Sequence, residues 1–242
     1  MKIYAMTFKG CNKQKNEDRL LINNHILSEG YYECECGNCL IAIADGVGGN
    51  RAGDVAADFV VSHLQQKKDV TKQDIALIND ELMSLSFSQE KYHNMATTLT
   101  GISFYQKRCM FHVGNTRIYI MQGSYLKQIT EDHTTVNWLL KTGKMSESEA
   151  KIYDKRNEIT ACMGGGNKSL INQLHFDAEC KQIENAHIIV LTSDGIHEYI
   201  STDDFEDLLN RNCSKNESIY AILNRAEQNN SIDDKSIIII EK

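Results

Sequence analysis

Four aspartates stand where apolar runs begin or end. Asp18 opens a run in KNEDRLLI, Asp45 closes one in IAIADGVGGNRAG, Asp194 closes a very apolar one in IIVLTSDGIHEYI, and Asp233 precedes one in SIDDKSIIII. Carboxylates at strand ends let a rigid sheet hold several hard oxygen atoms around one point, as Mg2+ or Mn2+ requires. The glycine after Asp45 and Asp194 permits a tight turn and close backbone approach, and at Gly46 it leaves a carbonyl free to ligate. An isolated Asp-Gly reads first as a turn. Four such segments in one chain point instead to a shared cation site.

Such an arrangement needs strands to carry it. Residues 39–44, 97–105, 108–113, 116–122, 187–192 and 235–240 are short apolar or alternating runs bounded by turn residues, and they are the predicted strands. Residues 51–66 place Ala52, Val55, Ala56, Phe59, Val60, His63 and Leu64 on one helical face, with Asp54, Asp58 and Ser62 turned away. Further helices are predicted over 72–91 and over 216–228, where Ile219, Ile222, Leu223 and Ala226 recur at helical spacing. Strands and helices do not alternate as a doubly wound parallel sheet demands. Hairpins packed face to face and covered by helices suit the inventory.

The bulk properties narrow the function. A chain of 242 residues, 41% hydrophobic and 24% charged, is expected to fold as a single domain over 1–242. A net charge of -7 argues against nucleic acid as a partner, since backbone phosphates must be met by surplus Lys and Arg. The apolar start of MKIYAMTFKG is too short for an export signal, and no run approaches the ~20 apolar residues of a membrane span. The expected location is cytoplasmic, away from membranes, with the 8 cysteines reduced. Cys34, Cys36 and Cys39, in a short loop before the Asp45 strand, would hold zinc only if Cys11 or His25 joined them. Their spacing lacks a second Cys pair, so free thiols are expected.

Seven segments, NED, ADGVGG followed by an amphipathic helix, ATTLTG, VGNTRIYI, TEDHT, LTSDGI and DDKSIIII, occur in the order and spacing of the PP2C-like (PPM) metal-dependent protein serine/threonine phosphatases. The chain resembles the compact bacterial members from roughly residue 5 to 240. The resemblance implies an α+β fold, a four-layer α/β/β/α sandwich of two antiparallel sheets flanked by helices. It implies two divalent cations, Mn2+ or Mg2+, in a cleft at one end. Asp45 would bridge them, Gly46 would offer its carbonyl, Asp194 and Asp233 would hold the first, and Asp18, helped by Glu17 through water, would support the second. Two cations about 4 Å apart make water an effective nucleophile near neutral pH, so no phospho-enzyme is needed. The partner would be a phosphoprotein, in opposition to a Ser/Thr kinase.

Departures from the family pattern sharpen the expectations. Lys13 stands where members commonly carry an arginine that forks onto the substrate phosphate; it offers a point charge, or else is an ordinary solvated lysine. Val47 stands where eukaryotic relatives have a proton-donating histidine, and His133 is read as a structural loop residue rather than its substitute. Residues 136–166 match the flap beside the cleft, with Gly164, Gly165 and Gly166 as a hinge and Arg156 as a solvated charge or a substrate contact. Asn115 replaces an aspartate that helps hold a third, weaker ion, so that ion should bind poorly here. Two rival readings stay open: a binding module that keeps the fold without turnover, and a hydrolase of small phosphomonoesters.

Overall fold

The central strands are apolar on both faces, so each sheet must be covered twice. The computed structural model of the protein describes residues 1–47, 52–150, 152–155, 157–211 and 213–242. One six-stranded sheet runs in the order β10 (Tyr125–Gln128), β9 (Arg117–Gln122), β13 (Ile188–Thr192), β14 (Lys235–Glu241), β1 (Lys2–Phe8) and β4 (Gly30–Glu35). The other six-stranded sheet runs β12 (His175–Asp177), β8 (Cys109–Val113), β7 (Leu99–Ser103), β5 (Leu40–Asp45), β2 (Asp18–Ile22) and β3 (His25–Leu27). The neighbours within each sheet pair antiparallel. A two-stranded ribbon joins β6 (Ala96–Thr97) to β11 (Met163–Gly164).

Successive side chains of a strand point to opposite faces, and three separate cores follow. From β5, Leu40, Ala42 and Ala44 pack outward on α1 (Gly53–Gln65) and α2 (Lys72–Ser88), while Ile41 and Ile43 enter the space between the sheets. From β14, Ile238 and Ile240 meet them there, while Ile237 and Ile239 face α8 (Thr202–Asn210) and α9 (Lys215–Gln228). The layers are therefore helix, sheet, sheet, helix, the expected α+β sandwich. The shorter helices α5 (Leu170–Gln173), α6 (Lys181–Asn185) and α7 (Asp194–His197) sit at connections. No helix among the described residues is long and apolar enough to cross a membrane.

The predicted strands and helices all appear, with corrections. The 97–105 run breaks between β6 and β7, and the 72–91 helix ends at Ser88 before a separate 3-10 turn, Glu90–Tyr92. The buried face of α1 is rotated from the expected one: Ala57 and Val61 are buried, whereas Phe59 is only partly so and stacks on His63. Cys34 lies on edge strand β4, opposite Ile3 of β1, not in a loop. After β10 the chain passes through α3 (Thr135–Lys141) and α4 (Glu147–Ala150) before it pairs again at β11.

One glycine decides how closely β5, β7 and β8 approach. A Cβ on Gly101 would lie 2.4 Å from the ring of Phe111 on β8 and 2.7 Å from the carbonyl oxygen of Ile41 on β5. Because a backbone oxygen cannot step aside, Gly101→Ala should cost about 3 kcal/mol, read as a lower urea midpoint with an unchanged m-value.

Candidate metal centre

Strand register sets the first pair of carboxylates. Asp18 opens β2, Asp45 closes β5, and the two are direct cross-strand partners. Like charges placed opposite one another destabilise a sheet, so the pairing calls for compensation. The other sheet brings its own acids to the same end. Beyond Thr192 and Ile237, which are partners, Ser193 N–H donates to Ser236 O at 3.0 Å; Asp194 follows Ser193 directly, and Asp233 precedes Ser236 by three residues. Asp194 does not close its strand as expected but starts α7, two residues after β13.

Both glycines after these aspartates are needed for close packing. A Cβ on Gly46 would lie 2.5 Å from the Gly53 backbone at the start of α1, and one on Gly195 would lie 1.9 Å from Asp234 O. Gly46 bridges to Thr97 through groups of its neighbours, Val47 N–H to Ala96 O at 3.0 Å and Thr98 N–H to Asp45 O at 2.8 Å. Its own carbonyl takes no part in that bridge. The cavity so formed, about 450 Å³, is walled by Lys13, Asp45, Gly46, Asp194 and Asp233, with Glu158 and Cys162 from the chain between α4 and β11. A larger cavity of about 850 Å³ lies at the far end of β7, around Phe104 and Cys109.

Behind the wall a buried hydroxyl network crosses between the sheets. Ser236 Oγ on β14 donates to Asp18 Oδ2 at 2.6 Å, Thr7 Oγ1 lies 2.7 Å from Ser236 Oγ, and Asn16 Nδ2 donates to Thr7 Oγ1 at 2.8 Å. Asp18 is fully buried, yet its Oδ1 finds no hydrogen-bond partner among the described residues. Burial, then the charges of Asp234 and Asp194, push the Asp18 carboxyl up to about 7, although Ser236 and Ser193 oppose this. Burial and the charges of Asp18, Asp194 and Asp233 hold Asp45 well above the usual carboxylate range. Burial and Asp233 raise Asp194 to about 6, against the hydrogen bond from Asn115.

These residues suit a hard divalent cation. The donors are all oxygen, an orphaned carboxylate oxygen is buried among them, and Asp18, Asp45 and Asp194 are raised by burial and then by their neighbours' negative charge. Among the described residues, no three His, Cys, Asp or Glu side chains already close on a single point as a finished cage would. Asp45, Asp194 and Asp233 line the cavity walls instead, and Asp18 lies buried behind them.

Lys13 is neither a solvated lysine nor a free anchor for phosphate, because it stands among the acids. Its ammonium, with three N–H groups, meets Asp233 Oδ1, Asp234 Oδ2 at 3.0 Å and Glu17 Oε2 at 3.3 Å. Burial disfavours the charge, but the bonds and charges of Asp233 and Asp234 outweigh it and hold Lys13 protonated. A phosphate oxygen would have to displace one of these carboxylates to reach it. Asn115 is buried and donates through Nδ2 to Asp194 Oδ2 at 3.0 Å, so it orients that carboxylate. His133 is a structural residue whose Nδ1 accepts the Gly114 N–H at 3.1 Å. Arg156 and the Gly48–Gly49 pair of ADGVGG lie outside the described residues. Sequence reasoning missed Asp234, the second acid of SIDDKSIIII, whose side chain is 1% exposed; an acid beginning so apolar a strand was the available signal.

No family model matches the chain. Individual proteins do. The chain is 26% identical over 250 residues to the serine/threonine phosphatase stp of Listeria monocytogenes, covering 98% of this chain and 94% of that one. A crystal structure of a bacterial serine phosphatase superposes with a TM-score of 0.79 at 25% identity, covering 98% of this chain and 96% of the other. The catalytic domain of the serine/threonine protein phosphatase PstP, solved with two manganese ions, superposes with a TM-score of 0.74 at 22% identity, over 100% of this chain and 99% of that one. The similarity therefore spans almost the whole chain.

The raised carboxyls fix a pH dependence. A carboxyl whose folded pKa exceeds its unfolded value of about 3.9 binds more protons when folded, so its stabilisation is present at low pH and fades as pH rises. In chelator, stability from Asp18 and Asp194 should therefore fall between about pH 4 and the values near 6 and 7 where these groups ionise. Added Mn2+ should restore it at neutral pH. Asp45→Asn, which removes one of the repelling charges, should raise the Tm in chelator and abolish the Mn2+ increment. Calorimetric scans of both proteins across this range check each point.

Proposed function

We propose that this chain, similar along almost its whole length to PP2C-type protein serine/threonine phosphatases and built on their fold, hydrolyses phosphoserine and phosphothreonine in proteins with divalent cations at the Asp18, Asp45, Asp194 and Asp233 cluster. The observation that carries this reading is that Asp45 of one sheet lines a single cavity with Asp194 and Asp233 of the other, with Asp18, its cross-strand partner, buried beside it. In the finer assignment, Asp45 and the Gly46 carbonyl would serve both ions, Asp194 and Asp233 would hold the first, and Asp18, helped by Glu17 through water, would support the second. The two manganese ions of the structurally similar PstP domain support Mn2+ as the probe.

Cations bound here would supply a lowered pKa for nearby water and would offset charge on the phosphoryl oxygens. The chain's own groups set the geometry. Asp18, held at Oδ2 by Ser236, has a buried Oδ1 with no hydrogen-bond partner among the described residues, an acceptor that a bound cation's water would satisfy. Asn115 fixes Asp194, and the register fixes Asp45. Lys13 adds positive potential beside Asp233 without a forked grip, so orientation of phosphate falls to the cations and to the flap side of the cavity. The flap over 136–166 would border a phosphoprotein segment, consistent with one catalytic domain opposed to a Ser/Thr kinase.

Purified protein should release phosphate from phosphothreonine peptides with Mn2+ and not with EDTA, and should act more slowly on a small aryl phosphate. Asp45→Ala should lower kcat by roughly 10³-fold or more while the far-UV CD spectrum is kept. Mn2+ binding without release of phosphate from either substrate would identify a non-catalytic binding module. Preference for the aryl phosphate would identify a small-molecule phosphomonoesterase.

A further inference from the structure

The segment from Lys9 to Glu17, between β1 and β2, carries Lys13 and Glu17 and ends at Asp18, yet it has little regular structure of its own. Both of its ends are held by one side chain from the other end of the sequence. Asp234 Oδ1 accepts the Gly10 N–H at 2.8 Å, and Asp234 Oδ2 accepts the Glu17 N–H at 2.8 Å together with the Lys13 ammonium at 3.0 Å. The segment is also pressed against the chain that bears Asp233: a Cβ on Gly10 would lie 2.2 Å from Ile232 O and 2.8 Å from the Asp233 carbonyl carbon. Asp234 N–H in turn donates to Asp233 Oδ1 at 2.8 Å.

We propose that Asp234 is a positioning residue of the metal centre. Its carboxylate closes the neck of the β1–β2 loop and thereby fixes Lys13, Glu17 and Asp18 relative to Asp233. Only a carboxylate fits this role, because both oxygens must accept and an amide has one acceptor oxygen and one donor nitrogen. In Asp234→Asn, the amide nitrogen would face either the Gly10 N–H or the Glu17 N–H and the Lys13 ammonium. The proposal rests on the cation-dependent reading above, but it concerns metal binding rather than the substrate.

The test is a calorimetric Mn2+ titration, with no substrate present, of wild type, Asp234→Asn and Leu223→Ala. Leu223 is buried on α9 in the outer core, so its variant controls for lost stability. Asp234→Asn should weaken Mn2+ binding about 10- to 100-fold, the usual range for a residue that orients ligands, while Leu223→Ala keeps the wild-type isotherm well below its Tm. An Asp234→Asn isotherm that superposes on wild type would overturn the proposal. So would fast hydrogen exchange at the Gly10 and Glu17 amides of the wild-type protein, a measurement that needs no variant to fold. Wild type that takes up no Mn2+ would remove the metal centre and this role with it. Tight Mn2+ binding that Asp234→Asn weakens, in a protein that hydrolyses no phosphopeptide, would leave the role standing and overturn the phosphatase reading alone.

Discussion

Negative charge gathered at one end of a rigid sandwich is the constraint from which the rest of the site follows. Asp18 and Asp45 face each other across a strand pair, and Asp194, Asp233 and Asp234 arrive from the other sheet. Carboxylates so placed repel one another in a medium that screens poorly, and burial together with this repulsion raises the carboxyls of Asp18, Asp45 and Asp194. The chain offsets part of it internally with Lys13, the Asn115 amide and the Ser236 hydroxyl. The remainder suits divalent cations. A site that is costly for the fold alone and favourable once loaded is the pattern expected where function, not stability, sets residue choice.

The sandwich has to hold these acids in place against their repulsion. It does so through three cores and through hydrogen bonds that tie one sheet to the other near the site, above all Ser236 to Asp18. Rigid strand ends are better suited to this than loops, since small shifts of a ligand are costly. The loop that must take part, between β1 and β2, is accordingly fastened at both ends.

Much of this was legible in the sequence, for physical reasons that also explain the gaps. Strands buried on both faces read as unbroken apolar runs, so β5, β8, β9, β13 and β14 were visible, and the acids beside them stood out. β1 was not assigned: its apolar run was weighed only as an export signal, and no local feature reveals its pairing with β14, more than two hundred residues away. β4 is an edge strand with exposed Cys and Glu positions, so its composition resembled a loop. Asp194 lies past the end of β13 because α7 begins there, and strand boundaries are the weakest part of a pattern argument. The engagement of all three Lys13 N–H groups and the grip of Asp234 on two distant amides are products of tertiary packing, for which residue type alone gives no signal.

The account stands or falls on cations lying among these carboxylates. An anomalous difference map from crystals grown with Mn2+, recorded at the manganese absorption edge, locates them without reference to any activity. Two peaks about 4 Å apart, one on each side of the Asp45 carboxylate, with Asp194 and Asp233 against one of them, are the result expected. A map with no peak in this cavity, or with its ions elsewhere on the protein, would contradict the assignment.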